Sequence, residues 1–287
     1  MYDYAALAEA VAGVLRARRR GETAAPERLA LPVPGGVLLC MPATDGEIAV
    51  VKTLTVHPAN RDRPVIQGEI TVLAAATGRR LGVLDGPAVT ARRTAAVSLL
   101  AAKLLSPADD GPLLVIGAGV QARAHVEAFW QGLGARDITL VSRTRSRAEA
   151  LANDLKKLGI SVTVSDDAAG EACRARRIVT ATTSREPVFP DTVRDDVFVA
   201  AVGWFTPDAA EVPASLVARA TLYADDLEAV RIEAGDFLRV GVDWAKVTPL
   251  EVLLDAPPPI ASGPVVFKSV GHALFDLAAA KLAFAAG

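Results

Sequence analysis

Leu113-Leu114-Val115-Ile116-Gly117-Ala118-Gly119-Val120-Gln121-Ala122 is an apolar run that passes directly into a GxGxxA turn. The run reads as a buried strand and residues 121–132 read as a helix, so the turn has the flanking elements that a dinucleotide-binding βα unit requires. Gly117 allows the tight turn, Gly119 lets the backbone approach a pyrophosphate, and Ala122 permits close packing of helix on sheet. The helix that follows would aim its free N–H groups and positive dipole end at the phosphates. A glycine turn in an unrelated α/β protein is the alternative reading, and the strand and helix on either side weigh against it.

The next strand, 137–142, ends in Ser142-Arg143-Thr144. An NAD-specific site usually carries Asp or Glu here to accept hydrogen bonds from the ribose 2′-OH. A guanidinium instead stacks on adenine and pairs with a 2′-phosphate, so NADPH is the expected cofactor, with NADH as the second choice. Arg145 and Arg147 are further cations on the same turn, either assisting or solvated.

Composition bounds the rest. The 287 residues are 51% hydrophobic with a formal net charge of −2, enough for one large or two medium cores and without the basic excess that nucleic acid would select. No run of apolar residues is long enough to cross a membrane. The N-terminus opens on an amphipathic pattern rather than a signal peptide, so a cytoplasmic location is expected. Cys40 and Cys173 are too few for a disulfide framework, and His57, His125 and His272 are too scattered for a metal site.

The chain divides near the Pro/Gly-containing segment 106–112. Upstream, strands are expected at 37–41, 48–54, 68–75 and 80–84, with helices at 4–19 and 91–105. Strands and helices without regular alternation suggest an α+β domain. Downstream, six strands (113–116, 138–141, 162–164, 178–181, 197–202 and 222–224) alternate with helices, the signature of a doubly wound parallel sheet. After a Pro-rich loop at 256–259, residues 265–280 read as strand, turn and helix packing back on the first domain. The expected fold is therefore α/β: a Rossmann domain over 108–265, and a second, α+β domain over 1–107 with 266–287.

Three cations stand out in that second domain. Lys52 interrupts the apolar strand Ala49-Val50-Val51-Lys52-Thr53-Leu54, so it lies either on a wet face or in a site. Arg93 opens the helix expected at Arg92-Arg93-Thr94, where a cation opposes the dipole unless an anionic ligand offsets it. Arg28 is a loop arginine between Pro26 and Pro32.

Taken in order, Lys52, Arg93-Thr94-Ala95-Ala96, the Gly117–Ala122 turn with His125, Ser142-Arg143-Thr144, Val202-Gly203 with Pro207, and Phe267-Lys268-Ser269-Val270-Gly271 with Asp276 resemble the ornithine cyclodeaminase/μ-crystallin family over nearly the whole chain. The resemblance implies a substrate and dimerisation domain, completed by the C-terminal helix, beside a Rossmann domain, in a homodimer. It implies NAD(P) and small α-amino or α-imino acids as ligands. Lys52 and Arg93 would hold the substrate carboxylate, with Arg28 and Ser269 as further contacts. Gly117, Ala118, Gly119, Val120, Gln121, Ser142, Arg143, Thr144, Arg147, Ala181, Thr182, Val202 and Gly203 would contact the cofactor.

The chain departs from the cyclodeaminases at two positions. Their acid/base aspartate, two residues before the proline of the loop after the fifth Rossmann strand, is matched here by Phe205. Their acid three residues before the Met-Pro proline is matched by Leu39. Asp208 follows Pro207, as an acid does in the reductase-like members. Trp204 and Phe205 form either an apolar wall to the site or plain packing. The resemblance therefore points to an NADPH-dependent reductase of cyclic imino acids. Ornithine cyclodeaminase, an alanine or related amino-acid dehydrogenase, and a non-enzymatic NADP(H)-linked binding protein are the alternatives.

Overall fold

The computed structural model describes residues 3–60, 62–107, 111–256 and 263–284. Part of the 106–112 connection and most of the Pro-rich loop at 256–259 lie outside the described residues. In chain order the elements are α1 (Tyr4–Arg19), β1 (Leu29–Val33), β2 (Gly36–Thr44), β3 (Ile48–Val56), β4 (Ile66–Ala74), β5 (Arg80–Asp85), α2 (Gly86–Leu105), β6 (Leu113–Ile116), α3 (Val120–Leu133), β7 (Ile138–Val141) and α4 (Arg145–Lys157). They continue with β8 (Thr163–Ser165), α5 (Ala168–Arg174), β9 (Arg177–Thr180), β10 (Phe198–Ala201), α6 (Ala214–Arg219), β11 (Thr221–Ala224), α7 (Leu227–Glu233), α8 (Gly235–Leu238), β12 (Thr248–Pro249), β13 (Val265–Lys268) and α9 (Ala273–Phe284). They form two compact units, residues 1–93 with 272–287 and residues 94–271.

In the first unit, β1 to β5 make an antiparallel meander in sequence order. On β3 the even-numbered residues Val50, Lys52, Leu54 and Val56 are buried and face α9, which packs on β2, β3 and α1. Eight successive residues of α9, Ala273 to Ala280, are buried, so this helix is apolar all round because protein surrounds it. Helix α1 buries Tyr4, Leu7, Ala8, Val11, Ala12, Val14 and Leu15 along one stripe, and the Asp3 carboxylate caps its start by accepting from the Ala5 N–H. Strand β1 was not expected from the sequence; Pro32 is tolerated there because the strand lies at the sheet edge.

The second unit is a parallel eight-stranded sheet in the order β12-β11-β13-β10-β9-β6-β7-β8. This is the doubly wound α/β arrangement. The chain moves outward from β6 through β7 and β8 and then returns to β9 on the other side of β6. Ligands in such sheets bind at this reversal, beyond the carboxyl ends of the strands. Two expectations are corrected here. The strand at 265–268 joins the parallel sheet between β10 and β11, while only the helix after it belongs to the first unit. Helix α2 starts at Gly86, five residues before the expected start at Ala91, with Asp85 accepting from the Ala88 N–H at 2.7 Å. Arg93 therefore sits two turns inside the helix, and the argument from an unfavourable helix terminus does not apply to it.

His125 is fully buried on α3. Its Nδ1 lies 2.7 Å from the Gln121 carbonyl oxygen and its Nε2 lies 2.9 Å from the Ser98 hydroxyl. A carbonyl only accepts, so Nδ1 carries the proton and Nε2 accepts from Ser98. Burial pushes the imidazole down to about 4 from its ordinary 6.5, against a smaller opposing effect of the Gln121 bond. As the pH falls, the unfolded chain takes up this proton before the folded one does. The contribution to stability is whole above 6.5 and lost progressively towards 4, about 3 kcal/mol in all. Urea unfolding across that range should show this slope in the native protein and a flatter one in His125→Gln; parallel slopes would refute the assignment.

Candidate active site

At the switch point β6 is followed directly by Gly117, whose φ of +128° suits glycine. A Cβ there would run into the Ala181 carbonyl oxygen at the end of β9. A Cβ on Gly119 would meet nothing, because the space beside it is open. Gly119 begins α3 without any side-chain cap, which leaves the first N–H groups of the helix free for an anion. A cavity of about 630 Å³ opens over these strand ends, lined by Gly117, Ala118, Gly119, Ser142, Arg143, Thr144, Arg147, Ala181 and Thr182. Asp166, Thr183, Ser184 and Val188 also line it and were not singled out in the sequence. Val120 and Gln121 follow Gly119 in the chain and Val202 and Gly203 follow β10, but none of the four lines the cavity. Arg143 and Arg147 are exposed and have no ion-pair partner among the described residues, whereas Arg145 is paired with Glu149 at 2.8 Å and with Asp166. A glycine-lined cavity, an uncapped helix start and two guanidiniums without ion-pair partners fit a dinucleotide.

The first unit builds a different cluster of charges. Lys52, 1% exposed, points into the buried face of a central strand. Its Nζ lies 2.6 Å from Oδ2 of Asp276 on α9. Arg93 Nε lies 3.3 Å from the other oxygen, Oδ1. Asp276 is fully buried, so one carboxylate from α9 orients two cations from β3 and α2. The Nη groups of Arg93 have no hydrogen-bond or ion-pair partner among the described residues, and the Phe275 ring centre lies 6.0 Å from Cζ. Burial is the largest influence on Lys52 and brings its ammonium down to about 8; Asp276 opposes the fall, while the charges of Arg93 and Arg28 add to it. Arg28, half-buried, thus acts on the same locus. The surplus of positive charge and the open face of the Arg93 fork suit a small carboxylate. Asp276 was noted in the sequence only as part of a motif; its role as counter-ion depends on a contact spanning 183 residues.

The second unit buries four carboxylates that no local sequence signal marks, Glu211, Asp225, Asp226 and Asp236. Glu211 accepts from the Thr182 N–H (2.7 Å) and hydroxyl (2.6 Å), the Thr180 hydroxyl (3.0 Å) and the Gly203 N–H (2.8 Å). Burial pushes its carboxyl up, and Lys268 and Thr182 oppose that shift. Asp225 accepts from the Ser269 hydroxyl (2.7 Å) and from the N–H groups of Val270 (3.2 Å) and Gly271 (2.7 Å). Ser269 is thus engaged in shaping its own turn. Among the described residues, no group of three or more His, Cys, Asp or Glu is placed to hold a metal ion.

Comparison with known proteins agrees with this architecture. The model of the ornithine cyclodeaminase/mu-crystallin family matches residues 2–285. The chain belongs to the ornithine cyclodeaminase/mu-crystallin family. It is 40% identical to Delta(1)-pyrroline-2-carboxylate reductase 1 of Burkholderia multivorans, over 99% of this chain and 91% of that protein. It is 39% identical to a Delta(1)-pyrroline-2-carboxylate/Delta(1)-piperideine-2-carboxylate reductase of Azospirillum brasilense, over 92% of this chain and 85% of the relative. The solved structure of a Thermococcus litoralis Delta(1)-pyrroline-2-carboxylate reductase, in complex with NADH and L-proline, superposes with a TM-score of 0.91 at 28% identity, covering 97% of this chain and 91% of that one.

Within the ornithine cyclodeaminase/mu-crystallin family, the two departures now have surroundings. Phe205 packs, half-buried, against the apolar core of the parallel sheet and meets Trp204 at a ring separation of 6.4 Å. Asp208 is exposed and paired with Arg185 at 3.1 Å. Leu39 is buried beside Leu54 and Val56 on the sheet face that carries Lys52. Met41, directly opposite Lys52 in register, shares that face. The surroundings of Lys52 on the sheet are therefore apolar, with no second acid from Leu39.

Removing the Asp276 charge should leave two buried cations without their anion. Asp276→Asn is expected to cost about 3 to 5 kcal/mol in urea unfolding. Adding Lys52→Met should recover part of the loss. An unchanged unfolding midpoint in the single variant would contradict the pairing.

Proposed function

We propose that this protein reduces cyclic imino acids of the Δ1-pyrroline-2-carboxylate and Δ1-piperideine-2-carboxylate type to proline and pipecolate, with NADPH as the preferred reductant. The observation that carries the reading is the charge balance around Asp276: two buried cations on one carboxylate, with the field of Arg28 added. Arg93 presents its free Nη groups and Lys52 its ammonium to the substrate carboxylate, which fixes the adjacent C2. Leu39 and Met41 give the ring apolar walls. The bound reduced dinucleotide supplies the hydride that becomes the new C–H bond at C2. A protonated imine needs no further acid. For a neutral imine, Lys52, which holds its proton up to about pH 8, is the donor to the ring nitrogen.

Phe205 cannot exchange protons, and the nearby Asp208 is exposed and committed to Arg185. Net reduction is therefore favoured over deamination of a diamino acid. The activities for which the Burkholderia and Azospirillum relatives are named support the same choice of substrate. NADPH is favoured by Arg143 and Arg147, the cavity-lining guanidiniums left free by the pairing of Arg145.

Steady-state assays should show NADPH consumed with either cyclic imino acid, and release of ammonia from ornithine would overturn the reading. In the same assay, Arg143→Ala should raise the KM for NADPH about ten- to a hundredfold and leave that for NADH nearly unchanged. Equal effects on both cofactors would remove the 2′-phosphate from the proposal.

The reading includes a homodimer. The outer face of the five-stranded sheet carries Leu29, Leu31, Leu38, Cys40, Pro42 and Val51 in adjoining register positions, with Val83 beyond Thr71 on the far side, and Leu29 is 58% and Leu31 51% exposed. A contiguous apolar sheet face of this kind is the usual mark of an interface, and a two-fold pairing closes it. Sedimentation equilibrium should give a dimer that Leu31→Lys with Val51→Lys converts to monomer. A dimer surviving both substitutions would place the interface elsewhere.

A further inference from the structure

Glu211 is 0% exposed, yet its carboxylate takes four hydrogen bonds, all from the carboxyl ends of two adjacent parallel strands and the loops leaving them. Oε1 holds the N–H and hydroxyl of Thr182, just after β9. Oε2 holds the Thr180 hydroxyl and the Gly203 N–H, just after β10. The Thr182 hydroxyl also accepts from the Ser184 N–H at 3.0 Å, so the grip extends along the cavity wall that Thr182, Thr183 and Ser184 form. The Glu211 carbonyl receives the N–H of Val188, a third stretch of the same wall, at 2.9 Å.

The glutamate is itself fixed from behind. Its N–H and that of Val212 donate to Asp236 Oδ1 at 2.6 and 3.0 Å, and Lys268 bridges Asp236 Oδ2 (2.7 Å) and the Trp204 carbonyl (2.9 Å). Gly203 is glycine because any Cβ there would collide with the Glu211 carboxylate. A buried carboxylate costs several kcal/mol and breaks even only when its lone pairs are satisfied, as they are here. Plain packing would be served at lower cost by an apolar side chain. The two loops bond to each other through backbone farther along, Val188 N–H to the Glu211 carbonyl and Ala210 N–H to the Arg185 carbonyl, and what the carboxylate adds is a fixed spacing at their starts, between Thr182 and Gly203.

We propose that Glu211 is a positioning residue for the nicotinamide half of the cofactor, setting the separation of the loops that carry Thr182 and Gly203. It rests on the dinucleotide reading given above. The adenosine half is held elsewhere, at Arg143, Thr144 and Arg147, so the two halves can be perturbed independently.

The test measures affinity rather than turnover. Fluorescence titration of purified Glu211→Gln should give an NADPH Kd raised about tenfold, because an amide NH2 then faces a donor. The Kd for 2′,5′-ADP, which has the adenosine end and no nicotinamide, should stay within about twofold. Equal weakening of both ligands, or of neither, overturns the proposal. If Glu211→Gln does not fold, Thr180→Val carries the test, since it removes one donor to Oε2 at a residue that does not line the cavity. A rise of about threefold for NADPH alone supports the proposal and no change overturns it. A native protein that binds neither NADPH nor NADH would instead overturn the dinucleotide reading itself.

Discussion

The pairing of Asp276 with Lys52 and Arg93 is the constraint around which the first unit is arranged. Two cations cannot be held in an apolar interior without an anion, and the anion comes from α9. That helix must therefore lie against β3, and its apolar sides are covered in turn by α1 and the sheet. The same carboxylate that makes the burial tolerable also falls short of full neutralisation. The fold thus leaves a surplus of positive charge beside an arginine fork already oriented by its Nε bond.

The two candidate sites differ in physical kind. The cavity over β6 and β9 relies on helix-start N–H groups, close backbone approach and exposed guanidiniums, whose charges are screened by salt. The site around Asp276 relies on buried charges, which salt screens far less. A large ligand with several phosphates gains enough from many modest contacts, while a ligand with one carboxylate needs a few strong ones. Glu211 belongs to neither group. It touches no solvent and serves by holding backbone in place.

What could be read in the sequence was what is local. Strand, turn and helix around Gly117 to Ala122 are contiguous, and each glycine's duty follows from its own backbone, so that half of the cofactor site was legible. The inward direction of Lys52 was not, because it depends on β3 being a central strand, which only the sheet order decides. Arg93 lies well inside α2, so no helix terminus explains its charge. The Asp85-Gly86-Pro87 start of α2 was a legible signal, a capping side chain followed by a proline in the first turn. The entry of β13 between β10 and β11, and the burial of Glu211 and Asp225, arise from contacts between residues far apart in the chain. Neighbouring residues carry no trace of such contacts.

The distance in sequence between Asp276 and its partners also bears on how the chain comes to be folded. Lys52 and Arg93 leave the ribosome long before residues 273–284, and until those residues emerge the five-stranded sheet lacks both the helix that covers it and the charge that balances it. The parallel sheet of residues 113–268 is by then already synthesised. The first unit consequently cannot be completed before residues 273–284 are made, and its closure is a long-range event of the slow kind.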